Sequence, residues 1–186
     1  MIFNIPIFLT SLRIAAIPLV ILFFYLDMPL TTATIFGLAG LTDWADGYYA
    51  RKYNQESRFG AFLDPVADKL IVAVALILVV EREGRGDIAF WITLAGIIII
   101  SREIIISALR EWMAETGQRS KVAVAYIGKI KAVTQIFALI FLLYNKDLFG
   151  LPLREIGLVF LVIATILTIV SMVQYLQAAF STQDEK

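Results

Sequence analysis

Asp43-Trp44-Ala45-Asp46-Gly47-Tyr48-Tyr49-Ala50-Arg51 and, eight residues later, Gly60-Ala61-Phe62-Leu63-Asp64-Pro65-Val66-Ala67-Asp68 set four carboxylates between long apolar runs. Asp43 and Asp46 are three apart, and Asp64 and Asp68 four apart, so each pair shares one face of a helix. Gly47 and Ala50 fall on the face of the first pair, where small side chains let a second backbone or a ligand come close. The polar stretch 51–59 reads as a connection. Two antiparallel helices joined by it carry both acidic pairs to about the same depth. Four carboxylates at close range repel one another and lose hydration, so they need protons or neutralising cations. Two divalent ions balance four negative charges, and a carboxylate-held metal pair is a known device for displacement at phosphorus. The competing reading is an ion-pair network that serves stability alone, with Arg51, Arg58 and Lys69 as the nearby bases.

Outward from this stretch the chain is apolar. Six segments, roughly 7–26, 30–50, 59–80, 88–109, 122–144 and 156–176, each approach the ~20 residues that a helix needs to cross a bilayer. The expected fold is all-α: a polytopic membrane protein with a six-transmembrane-helix bundle, one integral-membrane domain over 1–186. Of the 186 residues 60% are hydrophobic, and the mean hydropathy is +0.82, well above the usual share for a soluble domain. No signal-peptide cleavage pattern follows the first segment. Arg13 lies within that segment and Pro18 is expected to kink it. Asp27-Met28-Pro29 is too short for anything but a tight turn.

Lys and Arg distribution sets the orientation. Arg51, Lys52, Arg58, Arg110, Arg119 and Lys121 gather at one set of helix ends, against Arg82, Arg85, Lys146 and Arg154 at the other. The bias favours cytoplasmic termini, with the acidic region at the cytoplasmic ends of helices two and three. Tyr48, Tyr49, Tyr53, Trp91 and Trp112 fall near span ends, as interfacial aromatics do. The chain has no cysteine and no histidine, which excludes thiol catalysis, disulfides and imidazole-based sites. Any metal is then held by oxygen ligands, which suits magnesium, manganese or calcium. A formal net charge of zero gives no bulk attraction to nucleic acid, and no such partner is expected.

The fixed positions Asp43, Asp46, Gly47, Ala50, Arg51, Gly60, Asp64 and Asp68, at these gaps, resemble the signature of the CDP-alcohol phosphotransferase family. The resemblance implies a six-helix membrane core over the whole chain, commonly a homodimer, that displaces CMP from a CDP-linked lipid with an alcohol. It implies that Asp43, Asp46, Asp64 and Asp68 ligate two divalent ions, Mg2+ or Mn2+, and that Asp68 is the general base. Gly47, Arg51 and Ser57 match positions that contact the CDP moiety. A guanidinium at Arg51 suits pyrophosphate oxygens. Pro65 is expected to disturb the helix beside Asp64.

Three further segments are similar to the branch of the family whose acceptor is glycerol 3-phosphate. These are Asn4-Ile5-Pro6 with Leu9-Thr10 and Arg13, the run Ser101–Trp112, and Tyr126-Ile127-Gly128-Lys129-Ile130-Lys131. This implies CDP-diacylglycerol and sn-glycerol 3-phosphate as substrates, the bilayer as partner, and a bacterial cytoplasmic (inner) membrane location. Thr10 and Arg13 are the helix-one candidates for the nucleotide or pyrophosphate, Arg13 being equally readable as a snorkelling anchor. Arg102, Arg110, Lys129 and Lys131 are the bases available to a dianionic acceptor. Arg102 and Arg110 differ by only about 80° around a helix. Lys129 and Lys131 cannot both face one way, and Lys129 is preferred. Their plainer role is positive-inside anchoring. Glu103 is placed to hold Arg102 or Arg110. The alternatives are the same transfer to serine, inositol phosphate or phosphatidylglycerol and, from another class, an ion-binding carrier.

Overall fold

Uninterrupted apolar runs separated by short polar breaks dictate helices, because in lipid every backbone group must be satisfied within its own segment. The computed structural model describes the backbone of residues 5–53, 58–84, 86–115 and 126–180, and side chains over 8–42, 60, 62–84, 86–115 and 127–177. Its elements are α1 (Ile5–Tyr25), α2 (Pro29–Tyr53), α3 (Arg58–Glu83), α4 (Ala89–Glu115), α5 (Tyr126–Tyr144) and α6 (Leu153–Phe180). Pro18 and Pro65 lie inside α1 and α3, and each helix is continuous through its proline.

The breaks are built from local chemistry. At the end of α1 the Met28 N–H donates to the Phe23 carbonyl at 3.0 Å. Asp27 stands at φ 51°, the left-handed cap of a Schellman-type stop. Pro29 then opens α2, where its missing N–H costs nothing. Between α5 and α6, Leu148 and Leu151 pair in a single bridge over a turn in which Gly150 has φ 79°.

Side-chain contacts fix the register. Thr10–Asp64, Arg13–Asp68 and Tyr25–Glu81 join α1 to α3 at separations of 54, 55 and 56 residues, so the two helices run parallel along their whole length. Arg82 reaches the carbonyls of Leu142 and Leu143 at the end of α5, which makes α3 and α5 parallel as well. Gly37 and Gly40 on α2 face Ile140 and Ile136 on α5, an antiparallel pair. Gly157 lets α6 close on α5: a Cβ there would lie 2.9 Å from Leu142 Cγ and 3.1 Å from Phe141 Cβ. The core between these helices is Val20, Phe36, Leu76, Val79, Ile99, Leu139, Leu142 and Leu143.

The outside is as apolar as the core. Leu19, Leu22, Ile77, Ile97, Ile104, Val162 and Ile166 are exposed, a surface that water penalises and lipid does not. Trp91 and Trp112 are exposed too, whereas Tyr48, Tyr49 and Tyr53 have side chains outside the described residues. Among the described residues four helical segments are long and apolar enough to cross a membrane: Phe8–Tyr25, Ala89–Glu115, Ile127–Tyr144 and Leu153–Gln177. Of the six spans expected, α2 contributes within the described residues the shorter apolar piece Pro29–Thr42. α3 carries Asp64, Asp68 and Lys69 in its first half and Glu81, Arg82 and Glu83 in its last turn. The chain is an all-helical membrane protein.

Candidate active site

The cost of burying charge explains what surrounds Asp64 and Asp68. One turn apart on α3, both line a cavity of about 390 Å³ walled by α1, α2, α3, α4 and α5. α1 meets them in register. The Thr10 hydroxyl, fully buried, donates to Asp64 Oδ1. The Arg13 guanidinium, 1% exposed, pairs with Asp68 Oδ1. Arg13 is therefore an interior partner of the acid pair and not a snorkelling anchor. Thr10 and Arg13, expected at the nucleotide, touch the acids directly.

The opposite wall is basic and is organised by Glu103 on α4. Its Oε1 accepts from the buried Lys131 ammonium on α5 and lies 3.4 Å from Arg102 Nη1. The expected hold of Glu103 on Arg102 is present, and its second partner is Lys131 rather than Arg110. Arg102 is drawn toward α6, where it donates to Ser171 Oγ at 3.1 Å and stacks 5.5 Å from the Tyr175 ring. It lines not the main cavity but a second one of about 340 Å³ between α3 and α4. Lys69, Glu103 and Arg110 border both spaces. Lys69 also donates to Ser107 Oγ. Of the two α5 lysines, Lys131 faces the cavity while Lys129 is exposed and off its wall. The preference for Lys129 is thus reversed: the helical phase that buries Gln135 and Leu139 also buries Lys131.

The other expected site residues are placed less fully. Asp43, Asp46, Gly47 and Arg51 lie in the last turns of α2, with side chains outside the described residues, and Ser57 lies outside them altogether. Among the described residues no three acids converge on a metal position. Asp64 and Asp68, oriented by Thr10 and Arg13 into a shared cavity, are hard oxygen donors of the kind that magnesium and manganese take. Among the described residues the main cavity is lined by Arg13, Lys69, Arg110 and Lys131 together with Asp64, Asp68 and Glu103. A space lined by both carboxylates and bases offers contacts to a cation and to an anion.

Sequence reading missed Gln135, which lines the main cavity one turn from Lys131. It also missed Ser107, Ser171 and Tyr175 as supports of the bases. The signal for Gln135 was present: a lone carboxamide inside the apolar run Ala132–Tyr144.

A helical bundle with a lipid-suited exterior and charged groups gathered around an interior cavity marks that cavity as the candidate functional site. Residues 3–172 match the profile of the CDP-alcohol phosphatidyltransferase family, and the chain belongs to that family. It is 54% identical over 180 residues to a CDP-diacylglycerol–glycerol-3-phosphate 3-phosphatidyltransferase of Haemophilus influenzae, a match spanning 95% of this chain and 94% of the relative. Proteins of the same name from Shigella flexneri and Salmonella typhimurium are 50% and 49% identical, again over 95% of both chains.

Proposed function

We propose that this protein transfers the phosphatidyl group of CDP-diacylglycerol to sn-glycerol 3-phosphate, giving phosphatidylglycerophosphate and CMP. The observation that carries this reading is the two-walled cavity: Asp64 and Asp68 on α3, braced from α1, face Lys131 and Arg110 across space of ligand size. The names of the relatives, at about half identity over nearly the whole chain, support the same donor and acceptor.

In this mechanism the primary hydroxyl of glycerol 3-phosphate attacks the lipid-side phosphorus of the pyrophosphate. The new P–O bond forms as the bond from that phosphorus to the bridging oxygen breaks, and CMP leaves with the bridging oxygen. Asp68 accepts the hydroxyl proton. Arg13 holds the Asp68 carboxylate so that it enters the reaction in a fixed orientation. Lys131 and Arg110 receive the acceptor's phosphate, and Glu103 keeps the Lys131 ammonium turned to the cavity. Arg51, with Gly47 and Ser57, binds the cytidine diphosphate. Two divalent ions, magnesium or manganese, held by Asp43, Asp46, Asp64 and Asp68, supply Lewis-acid polarisation of the pyrophosphate when bound.

All six helices cross the bacterial inner membrane in this reading. The acid-bearing ends face the cytoplasm, where the water-soluble acceptor is found and CMP is released, and the lipid enters sideways between helices. The family resemblance further supports a homodimer.

The test is CMP release by detergent-purified protein given CDP-diacylglycerol and magnesium, with glycerol 3-phosphate, serine, inositol, inositol phosphate or phosphatidylglycerol as acceptor. Release with glycerol 3-phosphate alone, abolished by a chelator, is the expected result. Release with another acceptor overturns the acceptor assignment. No release from folded protein with any acceptor favours an ion-binding carrier.

A further inference from the structure

Gln135 is a polar side chain for which the fold has no use. It stands near the middle of α5, 4% exposed, on the wall of the main cavity. Its carboxamide Oε1 is buried without a hydrogen-bond partner among the described residues. The same cavity is lined by the apolar Phe36, Ala39, Ile71, Val72 and Ile136, and Lys131 stands one turn away on α5. Leaving a buried amide end unpaired is costly, whereas a leucine or methionine there would cost nothing. Rotation of the amide exchanges its donor and acceptor ends, so the position can present N–H or C=O to a ligand.

Depth selects the ligand. Lys131 and Gln135 share a face of α5 and are separated by about 6 Å along the axis. Gly40 on α2 stands opposite Ile136, 3.8 Å from its Cγ2, and Asp43 follows Gly40 by one turn toward the acid-bearing end. Gln135 therefore lies farther from the acid-bearing end than Asp43 and Lys131, on the wall of the cavity. A phosphorus atom held among the acids and bases has its diacylglycerol on that side. The first polar atoms of the lipid, a few bonds beyond phosphorus, are the ester carbonyl oxygens. These accept hydrogen bonds and do not donate them.

Resting on the reaction proposed above, we infer that Gln135 is a donor-binding residue whose amide N–H binds an ester carbonyl of the CDP-linked lipid. It thereby sets how deep the lipid sits when its phosphorus meets the acceptor hydroxyl. An apolar replacement of similar shape leaves the fold intact and removes only this contact.

The experiment compares wild type with Gln135→Met and Gln135→Leu, using CDP-diacylglycerol and an ether-linked CDP-dialkylglycerol, which lacks the carbonyls, in mixed micelles. Both variants should melt no lower than wild type. With the ester donor, KM for the donor should rise about fivefold in each variant, the worth of one neutral hydrogen bond, while KM for glycerol 3-phosphate stays unchanged. With the ether donor, wild type should already show that rise, and the variants should add nothing to it. An unchanged donor KM in both variants overturns the proposal. An equal rise with ester and ether donors also overturns it, by moving the contact off the carbonyl. A shift in acceptor KM instead, or failure of both variants to fold, assigns the amide to another role and overturns it too. No wild-type turnover with the ester donor strikes down the reaction itself, an outcome distinct from turnover with unaltered donor KM.

Discussion

Replacing Glu103 by methionine strands two cations. In the folded protein Lys131 is 5% exposed at its side chain and Arg102 9%, and Glu103, 24% exposed, stands between them. Removing one partner of a fully buried ion pair costs about 3–5 kcal/mol, and the partial exposure of Glu103 toward the cavity brings this to about 2–3 kcal/mol. At about 2–4 °C per kcal/mol for a chain of this size, the melting temperature should fall by about 4–12 °C. Lys131→Met should be milder, about 1–2 kcal/mol, because Glu103 keeps Arg102 at 3.4 Å. The double variant removes both charges and leaves Arg102 on Ser171 and Tyr175. Its loss should be smaller than the sum of the single losses by about 1–3 kcal/mol. Thermal melts of the four proteins in one detergent measure this coupling. Strictly additive losses, or a Glu103→Met protein as stable as wild type, would refute the claim that Glu103 is the counter-ion that lets Lys131 face the cavity.

Asp68→Asn should lower kcat for CMP release about 10²- to 10⁴-fold, the usual worth of a general base, with the fold retained; retention of a tenth of the activity would remove Asp68 from that role. Arg110→Ala should raise KM for glycerol 3-phosphate by about 10- to 100-fold, the worth of a charge-assisted hydrogen bond, and leave donor KM unmoved. Gly157→Ala places a Cβ 2.9 Å from Leu142 Cγ and should cost about 1–3 kcal/mol through overpacking of α5 on α6. That loss appears in the melt, while activity per folded molecule is preserved.

How much of this was legible beforehand depends on the range of the interaction. Of the four acids, Asp43 and Asp46 have side chains outside the described residues, while Asp64 and Asp68 line one cavity on α3, as a four-residue spacing on a single helix requires. Helix boundaries followed from polar breaks for the same reason. The partners of the acids did not read out, since nothing local to Thr10 or Arg13 specifies that α1 lies parallel to α3 at a separation of some 55 residues. Choosing between Lys129 and Lys131 failed on helical phase: the side chains that decide it, Gln135 and Leu139, follow at four-residue steps further along α5. Glu103 was recognised as a holder of bases, but Lys131, 28 residues away on another helix, became its partner only through tertiary packing.

The register between α1 and α3 has a consequence for how such a chain can change its length. Contacts at both ends, Arg13–Asp68 at one and Tyr25–Glu81 at the other, make the pair behave like two rulers pinned together twice. One residue inserted between Arg13 and Tyr25 turns everything after it by about 100° and shifts it by about 1.5 Å, so only one pin can be kept. Insertions and deletions are thereby excluded from α1 and pushed into turns such as 145–152. A chimera that borrows α1 from a relative must take the segment whole, with its spacing from Thr10 to Tyr25 intact.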